Sequence, residues 1–117
     1  MDQNSSNIPK KIQLPCILEV SGCGFLKGRT REMTEQEISV QCPNLAVLGA
    51  KKPKVGISGV LTFEFILYGS PREVLRIPCR VNYVSSIVVG LHININTLNH
   101  HQRQCFADLL TSSVNKE

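Results

Sequence analysis

A chain of 117 residues is the size of one domain and long enough to bury a core. At 42% hydrophobic and 19% charged, with no low-complexity tract, it has ordinary globular composition, which excludes disordered and fibrous classes. The net charge of +4 suits an anionic partner, yet the bases are dispersed, and four Phe, two Tyr and no Trp leave little for base stacking, which argues against a nucleic acid polymer.

Residues 1–9 are polar and read as a flexible lead-in without an apolar signal region. No later segment reaches the roughly eighteen uninterrupted apolar residues of a membrane span. Cys16, Cys23, Cys42, Cys79 and Cys105 are odd in number, lack a C-x-x-C spacing and mostly sit in apolar segments. They are expected to be reduced structural thiols, and a cytoplasmic location follows.

The first predicted strand covers residues 12–20, where Ile12, Leu14, Cys16, Leu18 and Val20 alternate with less apolar positions. Pro15 cannot donate to a ladder and places that strand at an edge or at a bulge. Gly22 and Gly24 turn the chain into a second strand running to Met33, with Leu26, Gly28, Thr30 and Glu32 on one face. Lys27, Arg29, Arg31 and Met33 fall on the other. The polar turn from Glu32 through Met33, Thr34, Glu35 and Gln36 to Glu37 leads into a third strand over 37–42.

Residues 43–56 hold two prolines, two glycines and Lys51, Lys52 and Lys54, and read as a long exposed connection whose Ala46, Val47 and Leu48 pin its middle to the core. The next strand, 57–68, has the clearest alternation: Leu61, Phe63, Phe65 and Leu67 against Val60, Thr62, Glu64 and Ile66. Gly69, Ser70 and Pro71 turn it. A fifth strand over 74–84 is interrupted by Pro78, and a sixth runs over 87–95. Beyond Asn96 the period changes: Asn99 and Gln102 fit a capping pair, and Cys105, Phe106, Leu109 and Leu110 form one helical stripe. The reading is one domain over 10–112 and a disordered tail over 113–117. Its class is all-β with a C-terminal helix, a six-stranded antiparallel β-barrel.

The order Leu14-Pro15, the strand-turn-strand through Glu32-x-Thr34-x-x-Glu37 into Ile38-x-Val40, Cys79-Arg80-Val81 after a charged hairpin, and Gly90-Leu91-His92-Ile93 resembles the PilZ family over residues 9–112. That resemblance implies a small β-barrel with a packing helix, and commonly a receptor for the bacterial second messenger cyclic diguanylate (c-di-GMP). The family pattern [D/N]-x-S-x-x-G is substituted at each signature position, by Glu32, Thr34 and Glu37. An R-x-x-x-R segment before the first strand would fall at Ser5 and Pro9, neither of them arginine.

If c-di-GMP binds, the candidate ligand residues are Lys10, Lys11, Arg29, Arg31, Glu32, Thr34 and Glu37. Lysine offers phosphate a point charge but not the planar fork that reads a guanine edge, and acids in the turn repel an anion. A β-carbon at Glu37 is expected to strain a turn that in relatives has glycine. The strand face with Lys27, Arg29 and Arg31 is the best basic surface, set against a solvated barrel exterior with cross-strand ion pairs.

His92 is placed on the less buried face of the last strand, His100 and His101 point in different directions, and no trio of ligands has zinc-like spacing. No metal or cofactor is expected. With no G-x-S-x-G, phosphate loop or suitably set carboxylate pair, neither is enzymatic activity. The resemblance thus implies a regulatory or adaptor domain of bacterial signalling that works through a protein partner, with weak or no c-di-GMP binding; the alternative is a c-di-GMP receptor using substitute basic residues.

Overall fold

The computed structural model describes residues 8–48 and 52–115. Its strands are β1 (Lys10–Lys11), β2 (Pro15–Val20), β3 (Gly24–Met33), β4 (Glu37–Gln41), β5 (Ser58–Ile66), β6 (Arg72–Ser85) and β7 (Val88–Ile93), followed by helix α1 (His100–Asn115). All pairings are antiparallel in the order β1-β3-β2-β5-β6-β7-β4, and β4 returns to β3. Six strands therefore close a barrel, as the alternation predicts, and β1 is an extra short strand on the long β3. Closure leaves the six without a free lateral edge.

The inward residues are those the period of two selects. Leu18, Val20, Ile38, Val40, Leu61, Phe63, Leu75, Ile77 and Leu91 are almost wholly buried inside. Phe106, Leu109, Leu110 and Cys105 of α1 are buried as well. Asn99 and Gln102 form the expected reciprocal cap: the Gln102 N–H donates to Asn99 Oδ1 at 2.8 Å, and the Asn99 N–H to Gln102 Oε1 at 3.1 Å.

The first strand is not continuous over 12–20. Residues 12–14 leave the ladder between β1 and β2, and the fully buried Thr30 fastens them: its hydroxyl accepts from the Leu14 N–H at 2.9 Å and donates to the Ile12 carbonyl. The Ile12 N–H goes to the Arg31 carbonyl, and the Thr30 N–H to the Leu14 carbonyl. Pro15 is neither on an edge strand nor in a bulge; it opens β2, which lies between β3 and β5, and a first position needs no inward donor.

The bulge instead falls in β3, where pairing with β4 jumps from Thr30 to Glu32. One extra residue reverses the side-chain phase, so Met33 is buried with Thr30 rather than sharing the exposed face of Lys27, Arg29 and Arg31. Pro78 does not interrupt β6. Its carbonyl accepts from the Asn94 N–H just beyond the end of β7, so the donor it lacks falls where that ladder stops.

The connection after β4 contains a 3-10 turn, Pro43–Val47, and Leu45 pins it to the core, while Ala46 and Val47 are exposed and Leu48 is half-buried. Lys51 lies outside the described residues; Lys52 is half-buried and Lys54 exposed. The lead-in and tail expected at the termini lie outside them too for residues 1–7, 116 and 117, and α1 is assigned past residue 112.

Candidate functional site

β3 and β4 carry the polar turn on their shared end. The Thr34 N–H donates to the Glu37 carbonyl at 2.7 Å, and the Thr34 hydroxyl accepts from the N–H groups of Gln36 and Glu37 at 3.1 and 2.9 Å. Threonine thus closes the turn through its own oxygen, a local bond of the kind that favours Ser and Thr in turns. Glu37 has no positive φ; among the described residues Ser86 is the non-glycine that does. The strain expected of a side chain at Glu37 is therefore absent, because the Thr34 oxygen fixes the turn without a left-handed residue.

Glu37 is exposed, and Glu32 is half-buried with its N–H donating to Ser39 Oγ at 3.3 Å. Lys10 and Lys11 pair in register with Met33 and Glu32, so β1 lies directly against the acidic turn. Across the barrel wall Glu37 pairs with His92, and His92 with Arg80. These last two bases escape a reading by motif, since the row Glu37, His92, Arg80 is set by strand order.

Two concavities flank the turn. A small pocket of about 80 Å³ is walled by Glu32, Thr34, Glu37, Ser39, Tyr83 and Gly90. It is narrow because the Tyr83 ring lies on Gly90, where an added β-carbon would come within 2.0 Å of that ring. The other is a wide groove of about 830 Å³ with Glu35, Gln36, Arg80, His92, Asn94 and Asn96 on its walls.

Lys27, Arg29 and Arg31 are all exposed, as expected, and they sit apart from both concavities. Beside them on the outer face of β3, β2 and β5, Ile17 pairs with Lys27 and Thr62, and the 69% exposed Phe25 pairs with Glu19. Further along the same face, Arg72 makes an exposed ion pair of 3.6 Å with Glu64. The outer face is therefore basic with apolar residues among the charges.

Cys16, Cys42, Cys79 and Cys105 are buried thiols. Burial pushes Cys16 up to about 12, with the neighbouring Cys42 adding to it, and pushes Cys42 and Cys79 up to about 11. Groups held so far toward the neutral form are poor nucleophiles at neutral pH. No helix among the described residues is long and apolar enough to cross a membrane.

No protein-family model matches the chain, and no curated protein matches it.

Proposed function

We propose that this chain is a PilZ-like, non-enzymatic regulatory domain of bacterial cytoplasmic signalling that acts by binding another protein, with weak or no affinity for c-di-GMP. The observation that carries this reading is the 34–37 turn. Its one hydroxyl is committed to the backbone, and carboxylates stand on both sides of it. The adjoining pocket of about 80 Å³ falls short of the roughly 300 Å³ that a drug-sized ligand fills.

The partner surface is the outer face of β3 and β2. Lys27, Arg29 and Arg31 form a basic rim on one side of exposed Phe25 and Ile17, with Glu19 opposite Phe25, which suits a protein that sets acidic groups beside an apolar contact. The double substitution Arg29→Glu and Arg31→Glu reverses that rim at exposed positions. Loss of partner capture with unchanged thermal unfolding is the expected result, and an unchanged capture profile would count against this surface.

A second reading, a c-di-GMP receptor with substitute bases, is favoured by one specific feature: the wide groove bearing Arg80 and His92 opens on the other side of the turn. Lys10 and Lys11, adjacent to the turn through β1, would add phosphate contacts. This reading requires that Arg80→Ala abolish nucleotide binding.

A further inference from the structure

The N-terminal half of α1 meets the start of β6 on the face that Glu73 shares with inward Leu75 and Ile77, and there three side chains able to ligate a metal converge. His101 and Cys105 are one helical turn apart and share a face. Glu73, near the start of β6, meets them from the barrel. The donor atoms of the three lie within 4.8 Å of one another. His101 Nε2 is 3.4 Å from Glu73 Oε1 and 3.5 Å from Cys105 Sγ.

The two separations from His101 match edges of a coordination tetrahedron. With zinc bonds of about 2.0 Å to nitrogen and oxygen and about 2.3 Å to sulfur, tetrahedral angles put N and O about 3.3 Å apart and N and S about 3.5 Å apart. Without a cation the neutral Cys105 thiol donates to Glu73, so the three groups hold one another in place and a cation would take over by binding all three donor atoms.

We propose that Glu73, His101 and Cys105 form a three-ligand zinc site that fastens α1 to β6. The donor set of one imidazole, one thiolate and one carboxylate suits zinc better than calcium or magnesium, which prefer all-oxygen shells. Glu73 is half-buried and Cys105 buried, while the side chain of His101 is 71% exposed. The fourth position therefore faces solvent and takes water. On binding, the Cys105 thiol releases its proton to solvent, and the two ligand charges balance those of the ion. Without a cation, burial, then the Glu73 carboxylate, then Asp108 hold that thiol in its neutral form.

The test uses the whole chain, stripped of metal with a chelator and then titrated with Zn²⁺ against a chromophoric competitor, and in parallel with Co²⁺. One equivalent of Zn²⁺ should bind, and Co²⁺ should give a thiolate charge-transfer band in the near ultraviolet with the visible bands of a tetrahedral ion. Cys105→Ser should remove the charge-transfer band. Because Cys105 is buried and its loss affects packing, His101→Gln and Glu73→Gln serve as the second pair. Each should weaken binding by at least the roughly 10–100-fold that loss of an outer-shell partner costs. A Co²⁺ spectrum without a thiolate band, or Zn²⁺ affinity unchanged in His101→Gln and Glu73→Gln, would overturn the assignment.

Discussion

Replacing Thr30 with valine isolates the contact that ties the lead-in strand to the barrel. The side chain is fully buried, and valine has almost the same shape. What disappears is one hydroxyl that serves the Leu14 N–H and the Ile12 carbonyl. Leaving the part-buried Leu14 donor and the buried Ile12 acceptor unmade costs about 1–3 kcal/mol each. The added methyl offsets about 1 kcal/mol through apolar burial. The net loss should be about 3 kcal/mol, a large part of the roughly 5–15 kcal/mol that separates folded from unfolded domains. Thr30→Ser is the control, since it keeps the hydroxyl and loses one methyl, at about 1 kcal/mol. Urea unfolding at equilibrium measures both, with an unchanged slope showing that the unfolded state is the same. The valine variant should also expose the Leu14 amide to rapid hydrogen exchange. Stability within about 0.5 kcal/mol of the parent protein, or equal to that of the serine variant, would refute the reasoning.

Gly90→Ala should destabilise the barrel by about 1–3 kcal/mol, because its β-carbon meets the Tyr83 ring. Most of that loss should vanish in a Tyr83→Ala background, which a double-mutant cycle by thermal unfolding will read. The buried cysteines make the fold alkali-labile. Cys16, Cys42 and Cys79 titrate near 9 when unfolded but only at about 11 to 12 when folded, so above pH 9 the unfolded chain releases protons that the folded chain retains. Their contribution is intact below pH 9 and is lost as pH rises toward 11 to 12, at up to about 1.4 kcal/mol per pH unit for each thiol. Urea midpoints between pH 8 and 10.5 should fall accordingly, and a Cys42→Ala variant should show a shallower fall.

Local patterns in the sequence carried most of the architecture. The alternation from Leu61 to Leu67 and the Asn99–Gln102 cap depend on neighbours a few residues away, so period and spacing are enough to read them. The break at residues 12–14 and the bulge after Thr30 are not local. They arise because Thr30 offers a hydroxyl to a segment that meets it only when the barrel closes, and so alternation alone places Met33 on the wrong face. Strand order likewise brings His92 beside Glu37 and Arg80 beside His92, and the docking of α1 brings His101 and Cys105 to Glu73; no motif spacing encodes either meeting. One signal was available for the second, since His101 and Cys105 are spaced for one helical face. At the turn, the sequence has Glu37 where the pattern it resembles has glycine, and the geometry shows Thr34 closing the turn without a left-handed residue.

The central claim is that the acidic turn has lost its messenger and that this domain works through a protein surface. Isothermal calorimetry of the whole chain with c-di-GMP tests it most directly. The account predicts no binding heat up to millimolar nucleotide, whereas saturable heat at micromolar concentration, abolished by Arg80→Ala, would contradict it.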